Sequence, residues 1–390
     1  MTIPMKRIYR IALRECGIMR GNLIYLFCLV LFPLLVIFFF TSLLEKGQPT
    51  DLPVGVVDFD NSSMTRTLTH KLDAFQTTKV VAHFPNINEA RKAIQRNEIV
   101  GFIYFPKNTM ADLLASRQPK VSFYYSQVCV TSGSLVFRDL KTITMLGAAA
   151  VGSAKLSALG KTPDEIKAFL MPISINLHPI NNPEIDYNVY LSTALAPACL
   201  MLFFFLISAY SIGTEMKFNR SKEWMAMADN NIVIALIGKM LPQFLINLTM
   251  MYFYMYYLYG VLHFPHSGSV LSVLILGLLA VLAGQGFGVF AFGLMPSLRM
   301  SMSICSLWAA LSFSVMGASF PLSAMNPIIQ AIAQLFPMRH YFMIYRICVF
   351  NGYPIMDAWP YIGALIIIAA LPLIVLHNIK KAMLTYVYIP

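Results

Sequence analysis

The sequence has few charged residues. Charged residues make up 12% of the 390 residues, against about 25% in soluble domains, whereas 57% are hydrophobic. The mean hydropathy is +0.65. These values exclude an ordinary soluble domain and indicate an integral membrane protein. The net charge of +11 does not indicate nucleic-acid binding, because lysine and arginine are dispersed or flank apolar runs, as is usual on the cytoplasmic side of a membrane.

Motifs for catalysis, metal binding and nucleotide binding are also missing. The six cysteines show no CxxC or zinc spacing, and neither a GxxxxGK[ST] phosphate loop nor a GxSxG elbow occurs. Asp58 and Asp60 form a DxD that could bind a metal, but Asp60, Asn61 or Ser62 more simply caps the next helix. We therefore expect no catalytic site, metal or cofactor on this chain.

Six apolar runs are long enough to cross a bilayer, which takes about 20 residues. We predict an α-helical polytopic membrane protein with six transmembrane helices and an inserted extracytoplasmic α/β domain. The predicted division is 1–20 (interfacial helix), 21–44 (span 1), 45–187 (α/β domain), 188–212 (span 2), 213–231 (cytoplasmic segment), 232–320 (spans 3 to 5), 321–357 (outer segment) and 358–390 (span 6 and tail).

The first twenty residues are expected to form an amphipathic helix on the cytoplasmic side. At about 100° per residue, the cations share one sector with an apolar sector opposite. The cationic sector holds Lys6, Arg7, Arg10 and Arg14, and the apolar sector holds Met5, Ile8, Ala12 and Met19. We expect the cations to face lipid headgroups. The alternative is a basic anchor without regular structure. Either form holds the N-terminus in the cytoplasm, and six crossings return the C-terminus there.

Residues 45–187 contain no run long enough to span, and strand-like and helix-like patterns alternate. Strands are predicted at 54–59, 79–84, 99–105 and 121–125, with a fifth candidate at 173–177. Predicted helices include 62–75, 88–97 and 132–159. This alternation is typical of an α/β domain with a parallel or mixed sheet.

The stretch 213–231, GTEMKFNRSKEWMAMADNN, is short and charged between two apolar runs. We expect it to lie in the cytoplasm and receive a push from a separate motor protein. The candidate coupling residues are Glu215, Lys217, Arg220, Ser221, Lys222, Glu223, Trp224 and Met225.

Glu223 is the residue on which we expect docking to depend. It should pair with a cation on the partner, while Trp224 and Met225 supply apolar contact. The alternative is a solvated face on which Glu223 pairs only with Arg220 or Lys222.

A few polar residues and glycines stand out inside the predicted spans. Gln243, Asn247 and Gln285 either line a translocation path or hydrogen-bond between helices. Gly284 and Gly288 form a GxxxG, which serves either close helix packing or a dimer face.

The segment 321–357 is apolar but interrupted by prolines. The apolar stretch 328–336 is too short to span, which is typical of a re-entrant or interfacial helix. The candidate outer-gate residues are Pro327, Ile329, Ile332 and Pro337. Pro327 should begin a helix and Pro337 should end it. The alternative is an ordinary outer loop whose aromatics dip into the membrane.

Three stretches carry a family resemblance: VGVVDFDNSS, GTEMKFNRSKEWMAMADN and FPLSAMNPIIQAIAQLFPMRHY. With the order of segments, they resemble the permeases of ABC-2-type exporters, in the branch with a large extracytoplasmic domain between the first two spans. The family's coupling loop usually reads Gly-Thr-x-Glu before two apolar residues. Glu223 matches that glutamate, while Arg220 and Ser221 replace the glycine and threonine.

The resemblance implies a half-transporter in the bacterial inner membrane. Two permeases, identical or similar, would bind two cytoplasmic ABC ATPases, which carry the ATP and Mg. Relatives with such an outer domain work with a periplasmic membrane-fusion adaptor and an outer-membrane channel, and export drug-like or lipid-like amphiphiles.

Two other functions compete with export. One is a non-transporting envelope protein whose outer domain senses or organises partners. The other is a membrane enzyme acting on lipid-linked substrates, which would need clustered carboxylates or histidines that the sequence does not show.

Overall fold

The computed structural model describes residues 3–115 and 117–386. The chain divides into two compact units, Met1–Glu45 with Pro179–Pro390 and Lys46–His178. We call the first the membrane unit and the second the insertion. The predicted segments 1–20 and 358–390 extend to residues 1–2 and 387–390, which lie outside the described residues.

Six helices of the described chain are long and apolar enough to cross a membrane, which confirms the predicted number. Spans 1 to 6 are Leu23–Leu43, Asn188–Lys217, Ile232–Val261, Val270–Leu294, Leu298–Val315 and Ile355–Thr385. Spans 2 and 4 are the most enclosed, with 67% and 61% of their most apolar stretch buried, so they form the centre of the membrane unit.

Spans 2 and 4 pack closely through the predicted glycines. A Cβ on Gly284 would lie 2.8 Å from the Cβ of Phe204, and a Cβ on Gly288 would collide with the carbonyl oxygen of Phe205. The glycine face of span 4 is thus covered by span 2 of the same chain. Close packing is the correct alternative, and the suggested dimer face at Gly284 and Gly288 is wrong for this fold, because no surface is left there for a second copy.

The N-terminal segment forms a helix, α1 (Ile3–Arg20), rather than an irregular anchor. Its buried face packs on span 3, where a Cβ on Gly238 would lie 2.8 Å from the Cβ of Ile11. Met5, expected on the apolar face, is 52% exposed, and Arg14, expected to face lipid headgroups, points into the protein. Ala12 and Met19 are each 9% exposed, as expected of the apolar sector, and Glu15, on the same side of the helix, is fully buried.

The insertion is a mixed α/β domain. Its described elements are β1 (Leu52–Asp58), α2 (Ser63–Asp73), β2 (Thr78–His83), α3 (Ile87–Gln95), β3 (Gly101–Phe105), α4 (Thr109–Leu114), β4 (Ser122–Tyr125), α5 (Val130–Ala158) and α6 (Pro163–Leu170). The sheet order is β2-β1-β3-β4, with β1 parallel to β2 and β3, and β4 antiparallel to β3. Successive residues of β1 point to opposite faces, so Val56 and Val57 belong to separate cores.

Four of the five candidate strands are confirmed, and the fifth is wrong. Residues 173–177 form no strand. Ile173, Ile175 and Leu177 are each at least 76% exposed. Apolar alternation alone does not make a strand where no neighbouring strand offers backbone hydrogen bonds.

The Asp58–Asp60 turn caps a helix, as expected. The Ser62 hydroxyl accepts a hydrogen bond from the Thr65 N–H at 3.3 Å and begins α2. Asp58 accepts two backbone N–H bonds, from Asp60 and Asn61, at 2.9 Å each. The described residues include no group of three His, Cys, Asp or Glu that could hold a metal ion.

The polar segment after span 2 is shorter than predicted, because that span continues to Lys217. It contains one helix, α7 (Ser221–Met227), and span 3 begins at Ile232 with Asn231 as its cap. The side chain of Asn231 accepts hydrogen bonds from the N–H groups of Val233 and Ile234.

The proline-broken segment forms short helices, as predicted. They are α8 (Pro327–Ala333) and α9 (Pro337–Ile344), which continues as a π-helical turn over Tyr345–Phe350. Pro327 opens α8 at its first position. Phe336 is held in extended geometry (φ −99°, ψ 122°) before Pro337, which begins α9. The prediction that Pro337 ends the first short helix is wrong, because α8 already ends at Ala333.

Candidate functional site

Four elements of the membrane unit meet at one charged cluster: α1, the last turn of span 2, α7 and the start of span 3. Glu215 lies in the last turn of span 2 and is 2% exposed. The sequence pattern predicts a polar loop at this position instead. Span 3 delivers Lys239, and α1 delivers Arg14 and Glu15. We call these four residues, Arg14, Glu15, Glu215 and Lys239, the charged cluster.

The charged cluster is electrically balanced. The Arg14 guanidinium donates two hydrogen bonds to the Glu215 carboxylate, at 2.8 and 3.0 Å. Lys239 Nζ lies 2.7 Å from Glu215 Oε1 and 2.6 Å from Glu15 Oε2. Two cations thus neutralise two carboxylates in the interior, and a buried ion pair needs such geometry to offset its desolvation.

Polar side chains extend the charged cluster into the spans. Gln243 Nε2 donates to Glu15 Oε1 at 3.2 Å and to Ser211 Oγ at 2.7 Å, and Ser211 Oγ donates to Glu15 Oε1 at 3.0 Å. Tyr25 of span 1 contacts the same carboxylate at 3.5 Å. α1 and spans 1, 2 and 3 are therefore joined through one carboxylate, Glu15.

The three candidate path residues differ in their contacts. Gln243 of span 3 hydrogen-bonds to Glu15 of α1 and Ser211 of span 2, which is the bonding between helices expected as the alternative to lining a path. Gln285 Nε2 reaches the Met240 carbonyl of span 3 at 3.4 Å. Asn247 is 2% exposed, and its side-chain Nδ2 has no hydrogen-bond partner within the described chain. A role in a translocation path stays a prediction for all three.

Arg14 links the interior to the surface. Burial alone would lower its pKa, but the hydrogen bond and charge of Glu215 raise the pKa above the ordinary arginine value. The Arg14 Nε also lies 3.9 Å from Glu223 Oε1. The nearest cation to Glu223 is thus Arg14, and not Arg220 or Lys222 as the solvated-face alternative supposed. Glu223 remains 67% exposed, so it is accessible to a partner.

Trp224 and Met225 are not on the surface. Both are fully buried. The Trp224 indole donates to the Ala235 carbonyl at 3.3 Å, and Lys239 Nζ lies 5.4 Å from the Trp224 ring centre. The expectation that these two side chains face a partner is therefore incorrect for this fold, because they hold α7 against span 3.

The exposed apolar side chain of this segment is Phe218, which sequence reasoning missed. It is 49% exposed, with Arg220 stacked 5.0 Å and Lys217 5.8 Å from its ring centre. The candidate residues Lys222 and Glu223 are exposed as well, while Ser221, which begins α7, is partly buried. A cavity of about 580 Å³ opens beside them and is walled by Arg14, Glu215, Phe218 and Arg220, among others.

A signal for the charged cluster is present in the sequence. Glu15 is the one acidic residue among residues 1–20, and it lies four residues from both Ile11 and Met19. That spacing puts it on the buried face of α1. A lone carboxylate there requires a buried cation opposite, and Lys239 is such a cation within an apolar span.

The candidate gate residues lie on α8 and at the start of α9. Ile329 and Ile332 are 42% and 46% exposed. Pro327 and Pro337 open the two short helices. The side chains are thus accessible, while a gating role stays a prediction.

One comparison with known proteins bears on identity. A family model described as ABC-2 family transporter protein matches residues 23–376, from the first span to the sixth. No curated protein matches the sequence.

Proposed function

The chain belongs to the ABC-2 family of transporter proteins, and on that basis we propose how it works as the permease of an exporter. Such a permease is not itself an ATPase and implies a partner that is one. The chain moves an amphiphilic, drug-like or lipid-like substrate out of the cytoplasm or the inner membrane. The energy comes from ATP, with Mg, hydrolysed on a separate cytoplasmic ABC ATPase.

The proposed arrangement puts residues 213–231 and both termini in the cytoplasm and residues 45–187 outside it, in a bacterial inner membrane. Five cations precede span 1, and residues 213–231 carry three, which supports this orientation. A second copy or a similar chain completes the path. An adaptor and an outer-membrane channel are further proposed partners, on the family resemblance alone.

The observation that carries the proposal is the charged cluster. It connects α7, the outermost element, to spans 2 and 3 through Arg14 and Lys239. A buried ion pair with a bidentate arginine has one favourable geometry, so its members move together. A displacement of α7 by a docked ATPase therefore displaces the ends of spans 2 and 3 as a rigid body.

Docking is proposed to use the exposed part of the segment. Phe218 supplies the apolar contact, and Glu223 supplies the charge that fixes the register. The cavity beside α1 receives part of the partner. The short helix α8 at the far end of span 5 serves as the outer gate.

The test is Glu223→Arg in the full-length chain co-expressed with its ATPase. We expect normal expression and an unchanged melting temperature, because Glu223 is exposed, but loss of ATPase copurification and of transport. Leaving a desolvated charge of the partner unpaired costs about 2–5 kcal/mol. Since the ATPase is cytoplasmic, association through Glu223 also tests the orientation.

The matched control is Glu98→Arg in the insertion. Glu98 is also exposed (55%) and has only a weak contact with Arg96, at 3.7 Å. The Glu98→Arg variant should bind the ATPase and transport substrate as the natural chain does. If Glu223→Arg behaves like this control, the docking role is wrong, and Glu223 only completes a solvated surface.

A further inference from the structure

The membrane unit buries a second arginine, but without a counter-charge. Arg339 in α9 is 8% exposed, and its Nε has no hydrogen-bond partner within the described residues. No carboxylate of the described chain lies within 4.0 Å of it. Burial lowers the pKa of Arg339; Tyr361 raises the pKa and the like charge of Arg346 lowers it further. An arginine nevertheless stays charged, so this is a buried, uncompensated cation.

Arg346 adds a second cation on the same side of this helix. It follows Arg339 by seven residues, which is close to two helical turns. It belongs to the π-helical turn after α9 and is exposed. Its guanidinium lies 5.8 Å from the ring centre of Phe342. In the described residues it too has no carboxylate within ion-pair distance.

A cavity of about 350 Å³ lies beside Arg346. Its walls include Arg346 and the aromatic side chains of Tyr190, Phe342, Tyr345 and Phe350. It lies between the start of span 2, the loop after span 5 and α9. Aromatic walls with a few convergent polar groups are usual for sites that bind amphiphilic small molecules.

Gly317 brings Arg339 to this cavity. Gly317 forms part of the cavity wall and has φ +91°, a conformation that residues with a side chain rarely adopt. A Cβ there would lie 3.4 Å from Arg339 Nη1. The guanidinium thus lies directly behind a wall residue that has no side chain.

We propose that this cavity binds the anionic group of an amphiphile, a phosphate, sulfate or carboxylate on an apolar chain, through Arg339 and Arg346. The anion supplies the charge that the chain itself does not provide. The aromatic walls take the first part of the apolar chain. This rests on the proposed export function and narrows its substrate class to anionic amphiphiles.

The test measures equilibrium binding of radiolabelled dodecyl phosphate to the full-length chain, purified in dodecyl maltoside without ATPase. Loss of one charge-assisted hydrogen bond should weaken dodecyl phosphate binding at least about tenfold. We expect that loss for Arg346→Gln and Arg339→Gln, and partial recovery for Arg339→Lys. Arg299→Gln, an exposed arginine at the start of span 5, is the matched control and should bind normally.

Arg346 is exposed, so Arg346→Gln should fold normally even if the Arg339 variants do not, and melting temperatures without ligand verify this. Unchanged dodecyl phosphate binding in Arg346→Gln would overturn the proposal. So would equal binding of dodecylphosphocholine, whose headgroup carries no net charge.

Competition identifies the source of the anion. If phosphatidylglycerol displaces the probe, the natural occupant is an anionic bilayer lipid; if it does not, the occupant is another anionic amphiphile. Displacement by inorganic phosphate at similar concentration would show a site for small anions and contradict the role of the apolar chain. Since no ATPase is present, a failure to bind dodecyl phosphate leaves the proposed coupling through Glu223 untouched. Likewise, a failure of the Glu223 test leaves the proposed anion site untouched.

Discussion

Removing Lys239 and Glu15 together should cost the membrane unit less stability than the sum of the two single removals. Lys239 lies between two buried carboxylates, at 2.6 Å from Glu15 and 2.7 Å from Glu215. Lys239→Met leaves both carboxylates with Arg14 as their one remaining cation. Lys239→Met with Glu15→Gln leaves the balanced pair of Arg14 and Glu215.

The magnitude follows from the geometry. At an effective dielectric constant of about 20, charges 2.6 Å apart attract by about 6 kcal/mol, and desolvation removes most of this gain. Breaking one side of a buried pair typically costs 3–5 kcal/mol, so we expect about that loss for each single variant. The double variant should lose about 2 kcal/mol less than the sum of the two, which is the coupling energy between contacting residues.

The assay is unfolding in mixed micelles with increasing dodecyl sulfate, followed by circular dichroism, for the four members of the cycle. Arg7 of α1 and Asp229, which lies between α7 and span 3, provide a control cycle. Their ion pair is 2.9 Å long, but the side chains are 34% and 69% exposed. Its coupling energy should stay below about 1 kcal/mol. Equal coupling energies in the two cycles would refute the argument that burial makes the charged cluster a mechanical joint.

Three further predictions concern single substitutions. Phe218→Ala should leave the melting temperature unchanged and weaken ATPase copurification. Trp224→Ala should cost about 3–5 kcal/mol of stability, because the Trp224 indole is fully buried. A stable Trp224→Ala chain would contradict the described packing. Ile329→Asp should abolish transport while ATPase copurification persists, and wild-type transport would exclude a gate on α8.

The spans, the insertion and the short proline-started helices were predictable because their signals are local. Apolar length identifies a span, and Pro327 identifies a helix start. Residues 173–177 show the limit of such signals. Their alternation matches a strand, but a strand exists only with a partner, and partners are set by the whole sheet.

The site was less predictable than the fold. Glu215 and Trp224 share one polar stretch with Glu223, and composition alone does not say which of them turns inward. That depends on where span 2 ends and on Lys239, which lies outside the stretch. Glu223 is accessible as expected, whereas Trp224 is buried and Phe218 is the exposed apolar side chain.

The charged cluster also constrains the order in which the protein can be made. Glu15 and its partner Lys239 are 224 residues apart in the chain. At a synthesis rate of 5–20 residues per second, roughly 10–45 s separate their emergence from the ribosome. During that interval α1 carries a carboxylate whose buried partner does not yet exist, so it cannot take its final place until span 3 has entered the membrane. A nascent chain interrupted before Lys239 therefore exposes the face of α1 that carries Glu15 and is buried in the complete chain, a feature by which cellular proteolysis can distinguish an unfinished transporter from a complete one.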